Sequence, residues 1–140
     1  MLTTYVDSDW AGDQKDRKST TGYCTFLGSS LIFWSVKKQS TIARSSTEAE
    51  YRALAVVAAD LIWTRQLLQE LGCPPPELTK IFCDNISAFA LANNQVFHAR
   101  TKHFEVDYHC IRECIKNKIV HVHHISTKDQ IADIFTKAHQ

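Results

Sequence analysis

The residues of this 140-residue chain best suited to chemistry are carboxylates: Asp7 and Asp9 in one run, Glu48 and Glu50 in another, Asp84 in IFCDNISA, and Asp133 near the C-terminus. Brought together by folding, such hard oxygen donors would hold a divalent cation. Each also has a plainer reading. Asp84 ends a short apolar run and precedes a helical pattern, so its carboxylate suits either a helix cap or a metal ligand. Thr47-x-x-Glu50 has the spacing of a capping box, and Ser45-x-x-Glu48 is an equally good one. At about 100° per residue, Glu50 falls within the apolar stripe of its helix and Glu48 points away from it. An ionised Glu50 aimed at the core is costly unless a positive charge meets it, whereas Glu48 is expected to cap the helix or to be solvated.

Asp7 and Asp9 would share one face of a strand, where aspartate is disfavoured and like charges repel, unless the strand frays there. Asp133 carries no pattern signal. The stripe Ile131, Ile134, Phe135 and Ala138 leaves it with Asp129 on the polar side of the last helix, where both read as solvated.

The elements that would position these groups follow from periodicity. LTTYVDSDW reads as a strand, AGDQKDRKSTTG as a loop, and GYCTFLG and LIFWSVKKQ as two more strands joined at Gly28-Ser29-Ser30. Ser46 to Leu71 has helical spacing, with Leu54, Val57, Ala58, Leu61, Leu68 and Leu71 on one side, and GCPPPEL ends it. KIFCD reads as a short buried strand, NISAFALANN as a helix, HARTKHF as a basic link, and Phe104 to Asn117 as a helix. KIVHVHHIS is a final strand and TKDQIADIFTK a final helix, with Thr127 and Gln130 at capping-box spacing. A strand between helices demands a crossover and a parallel pair. The order is βββαβααβα, an α/β class in a single domain spanning residues 1–140.

Composition narrows the field. Sixteen Lys and Arg against fifteen Asp and Glu leave a formal charge of +1, so any nucleic-acid footprint must be local. The odd count of five cysteines fits reduced thiols in an intracellular protein better than a disulfide framework. No apolar run approaches the roughly 20 residues needed to cross a bilayer, and the N-terminus lacks the pattern of a signal peptide. His98 and His103, and Cys110 and Cys114, lack a second pair at zinc-site spacing. Trp10, Trp34 and Trp63 are expected in the core.

Taken in order, YVDSDWAG, SSTEAEYRALA, IFCDNISA and IADIFTK, with VFHARTKHFEVDYHCIRE between the last two, resemble the ribonuclease H domain of copia-type retrotransposon polyproteins. The resemblance covers Tyr5 to Lys137. It implies a ribonuclease H-like fold: a five-stranded mixed sheet, three antiparallel strands then two crossover strands, flanked by helices. It further implies that Asp7, Glu50, Asp84 and Asp133 are the catalytic quartet holding two magnesium ions, with manganese as a substitute, and that no small-molecule cofactor or membrane is involved. The implied substrate is the RNA strand of an RNA/DNA hybrid, and the implied partner is the reverse transcriptase domain of the same polyprotein. The setting would be cytoplasmic, inside a virus-like particle in an intact element.

Beside those ligands, Ser46, Thr47 and Asn85 are candidates for 2′-hydroxyl contacts, and Lys37, Lys38, Arg44, Arg100 and Lys102 for phosphate contacts. Asp9 falls where many relatives have a small polar residue, so its role stays open. The short loop after His121, His123 and His124 argues against giving any of them the role of the mobile histidine known in cellular members. Two rivals remain: a decayed or domesticated fold that binds nucleic acid or a polymerase without cutting, and an exonuclease or integrase-like transferase on the same fold.

Overall fold

A computed structural model of the chain describes residues 1–73, 78–93 and 105–137. Strands β1 (Leu2–Asp9), β2 (Thr20–Leu27) and β3 (Ser30–Lys38) form an antiparallel meander. Its second turn reverses at Gly28, whose positive φ suits a residue without Cβ. Helix α1 (Ser46–Glu70) then crosses to β4 (Thr79–Cys83), and α2 (Ile86–Asn93) and α3 (Glu105–Lys116) lead to β5 (Val120–His124). The sheet order is β3-β2-β1-β4-β5, with β4 parallel to both β1 and β5. This is the three-plus-two mixed sheet expected above. Strand β2 begins two residues earlier than its sequence suggested, because Thr20, Thr21 and Gly22 pair with Asp9, Ser8 and Asp7.

One face of the sheet carries the core. Val6, Tyr23, Ile81, Cys83, Val120 and Val122 pack against Tyr51, Leu54, Val57, Ala58 and Leu61 of α1, with Ala88 of α2 and Ile111 of α3 beside them. This sets the rotation of α1, and with it the direction of Glu50. Helix α1 starts where Ser45, extended in backbone, accepts the Glu48 N–H at 3.1 Å. Replacing Ser45 with alanine leaves that donor unsatisfied and is expected to lower stability by about 1 kcal/mol, read as a lower denaturant midpoint at unchanged slope.

Four expectations are corrected here. Glu48 is neither solvated nor reaching back to its cap. It is buried and bonded to the guanidinium of Arg52 at 2.8 and 3.0 Å, so a partner one turn on supplies the positive charge that its burial needs. Trp10, Trp34 and Trp63 are exposed, not core. They lie at the end of β1, on the edge strand β3 and on the outer side of α1. The stripe of α1 also ends early, since Leu71 is exposed.

The final helix is the fourth correction. Thr127–Asp129 is a 3-10 turn, and helix α4 begins only at Asp133 and runs to Lys137. The break shifts the helical phase, so Gln130, Ala132 and Thr136 are buried while Ile131 and Ile134 are exposed. No Thr127/Gln130 capping box forms, because both side chains bond elsewhere.

Among the described residues no helix is long and apolar enough to cross a membrane. All five cysteines are unpaired. Arg100 and Lys102, with His98, His103 and Phe104, lie outside the described residues.

Candidate active site

Strands β1 and β4 run parallel, so their C-terminal ends emerge side by side, with Asp7 near one end and Asp84 just past the other. Their ladder stops at the Tyr5/Phe82 pair, and beyond it the two chains carry these aspartates. The first turns of α1 pass over the same end of the sheet and bring in Glu50, whose Oε2 accepts the Ser8 N–H at 3.2 Å. One carboxylate oxygen from each of Asp7, Glu50 and Asp84 lies within 4.8 Å of the other two. Three segments distant in sequence thus converge on one point.

Asp84 does not cap α2. That task falls to Asn85, whose Oδ1 accepts the Ala88 N–H at 2.8 Å. The two readings of IFCDNISA are therefore divided between neighbours: Asn85 starts the helix and the Asp84 carboxylate stays with the cluster. Thr127, displaced from its expected cap, hydrogen-bonds the Asp84 side chain.

The cluster gathers acidic groups in a buried place. Asp7 is 6% and Glu50 3% exposed. Burial first, then the charge of Asp84, raises the Asp7 carboxyl from 3.8 to about 7. Glu50 is pushed well above its ordinary range by burial, Asp7 and Asp84, and Asp84 is raised mainly by burial and by Asp133. Oε1 of Glu50 is buried without a hydrogen-bond partner. Buried carboxyls with raised proton affinity, one of them with an oxygen that has no hydrogen-bond partner, fit a divalent cation, whose charge would offset their mutual repulsion. The donors are all carboxylate oxygens, which suits magnesium and not a soft metal.

Asp133 joins this group, although periodicity placed it in solvent. At the first turn of α4 its carboxyl sits near enough to Asp7 and Asp84 to raise the proton affinity of both. It lies outside the closest trio. Thr136, one turn along, has its hydroxyl 2.9 Å from Asp7 Oδ2 and 3.1 Å from the Asp133 carbonyl. Bonded to Asp7, it lowers that group's proton affinity against the two larger raising effects. Thr136→Val should therefore raise the Asp7 pKa further, an upward shift readable by NMR titration of the side-chain carboxyl.

Asp9 is not drawn into the trio. Its carboxylate lies against Gly12, where a Cβ would meet its Oδ2 at 1.8 Å, and it lines a cavity of about 910 Å³ with Gly12, Asp13, Thr20, Val36 and Lys38. Lys38 is engaged by Asp13 and Asp16, so any phosphate must compete with two carboxylates for it. Lys37 and Arg44 are exposed, and Ser46 and Thr47 lie in the first turn of α1, one turn before Glu50. His121 and His123 have rings 4.4 Å apart on β5, and His124 ends that strand. Gln130, Thr127 and Thr136 were not foreseen as parts of the site. Their only signal, three polar residues around an amphipathic segment, was masked by the apparent helical stripe.

No protein-family model matches the chain. Over 136 residues, 97% of the chain, it is 48% identical to the retrovirus-related Pol polyprotein from transposon RE1 of Arabidopsis thaliana. It is 43% identical over 137 residues, 98% of the chain, to the corresponding polyprotein from transposon TNT 1-94 of Nicotiana tabacum. The chain spans only 9% and 10% of the length of these two relatives. Its fold matches that of LC11-RNase H1 in complex with an RNA/DNA hybrid with a TM-score of 0.72 and 12% identity, covering 99% of this chain and 95% of that one.

Proposed function

We propose that this chain, which belongs by sequence with the Pol polyproteins of copia-type transposons and has the ribonuclease H fold, is a magnesium-dependent endonuclease for the RNA strand of RNA/DNA hybrids. The observation that carries this reading is the convergence of one carboxylate oxygen each from Asp7, Glu50 and Asp84 within 4.8 Å, with Asp133 beside them. A scaffold that only bound nucleic acid would gain nothing from buried carboxylates that repel one another and the phosphate backbone.

In this proposal Asp7, Glu50, Asp84 and Asp133 hold two magnesium ions, for which manganese can substitute. When bound, such ions lower the pKa of an attacking water and offset charge on the phosphoryl and leaving oxygens. The protein contributes rigidity. Ser8 N–H fixes Glu50, Thr136 fixes Asp7, Thr127 fixes Asp84, and the sheet end holds all of them before substrate arrives. Ser46 and Thr47, one turn before Glu50, and Asn85, next to Asp84, are assigned to the 2′-hydroxyls that distinguish RNA from DNA. Lys37 and Arg44 are assigned to phosphates on the exposed side. In the full polyprotein the domain would act beside a reverse transcriptase and remove the copied RNA template.

The test is a substrate panel of internally labelled hybrid, duplex DNA and duplex RNA, each with magnesium or with chelator. Magnesium-dependent internal cuts in the RNA of the hybrid alone are expected. Hybrid that is bound and left intact would favour a binding module, whereas cutting of DNA or erosion from ends would favour an exonuclease or transferase.

A further inference from the structure

Gln130 is almost fully buried, at 5% exposure, and spends its whole side chain on three backbone groups. Its Nε2 donates to the Val6 carbonyl at 2.9 Å and to the Phe82 carbonyl at 3.4 Å, and its Oε1 accepts the Ala132 N–H at 3.2 Å. A primary carboxamide has two N–H donors and a carbonyl acceptor, so one side chain makes all three bonds at once. Each lies beside a member of the carboxylate cluster. Val6 directly precedes Asp7, Phe82 is two residues before Asp84, and Ala132 directly precedes Asp133.

The location is informative. The β1–β4 ladder ends at Tyr5/Phe82, where the strands must part to leave room between the aspartates. At its last pair and one residue beyond, the Phe82 and Val6 carbonyls take their donor from Gln130, and the charges carried just past them would drive the strands further apart. We infer that Gln130 is a positioning residue: an uncharged brace that replaces a rung of the ladder and sets the spacing of Asp7, Asp84 and Asp133. It touches none of the reacting atoms. The inference rests on the reading of the cluster as an ion site, and its own test includes a measurement that does not.

Two variants separate the brace from ordinary packing. Gln130→Met keeps length and removes both donors and the acceptor. Gln130→Glu keeps shape but turns an acceptor toward the two carbonyls, and it serves if the methionine variant does not fold. Val120→Ala, a core truncation in β5, is the control for general destabilisation. In metal-free protein, amide hydrogen exchange at residues 6–8 and 82–84 should accelerate about tenfold in either Gln130 variant, with β2 and β3 unchanged. Val120→Ala should raise exchange throughout the sheet instead. With hybrid and magnesium, the Gln130 variants should lose roughly tenfold or more in kcat, keep KM within about twofold, and need more magnesium for half-maximal rate. Uniform acceleration of exchange, as in the control, would overturn the brace whether or not the protein cuts hybrids. A wild type that never cuts would instead defeat the proposed activity, and the exchange pattern would still decide the role of Gln130.

Discussion

Asp84→Asn is expected to lower the rate of hybrid cleavage by about a thousandfold or more, equivalent to roughly 4 kcal/mol of transition-state stabilisation, while hybrid binding changes little. Asparagine keeps the size and one oxygen of aspartate but removes the charge that would hold a divalent ion. Asp7→Asn and Glu50→Gln should act similarly, since one oxygen from each lies in the same 4.8 Å group. Asp133→Asn, outside that trio, should cost less. Asp84→Asn should also make the metal-free protein more stable at neutral pH. The Asp84 charge is the second-largest cause of the raised Asp7 pKa and also raises Glu50, so its removal relieves both. Activity and stability moving in opposite directions marks a site kept for function and not for folding. A metal-free Asp84→Asn protein less stable than wild type would contradict the electrostatic part of this account.

The second large effect concerns pH and magnesium together. Asp7 is raised from its ordinary 3.8 to about 7. The folded state therefore holds this proton more tightly than the unfolded chain, and without metal, stability falls as pH rises from about 4 to about 7. At about 1.4 kcal/mol per pH unit, the fall due to Asp7 is on the order of a few kcal/mol. Glu50 and Asp84 add in the same direction. Bound magnesium would hold these groups ionised and cancel the penalty. The rise in melting temperature caused by magnesium should thus be small near pH 5 and large near pH 8, measured by thermal melts across that range. An equal rise at both would mean that the ion does not bind at these carboxylates. Asp13 and Asp16 run the other way, Asp13 lowered first by Lys38 and Asp16 first by the Lys18 N–H and then by Lys38, but they are solvent-facing and act below pH 4.

Much of this site was legible because burial is readable from periodicity. Glu50 fell in the apolar stripe of α1, and that stripe does face the sheet. Asp7 was conspicuous as an acid within a strand. The helical wheel failed for Glu48, since a wheel registers no partner, and Arg52 one turn away makes its burial tolerable. Asp133 was invisible for a different reason. Its wheel assumed an unbroken helix from Thr127, but Gln130 turns inward to bridge β1 and β4, and α4 restarts three residues later in a new phase. Only the resemblance of IADIFTK to a known motif assigned it. The tryptophans show the converse limit. Ring size argued for the core, yet Trp34 stacks on Phe135 at 5.9 Å while remaining exposed on an edge strand.

The central claim is that these carboxylates form a hydrolytic metal centre for RNA in hybrids. Its most direct test is a single-turnover assay of end-labelled RNA annealed to DNA, with wild type and Asp84→Asn side by side in magnesium. Wild type should cut the RNA internally, leaving 3′-hydroxyl and 5′-phosphate ends and intact DNA, and the variant should bind the hybrid without cutting it. Equal cutting by the variant, or hybrid bound by wild type and left whole, would contradict the account.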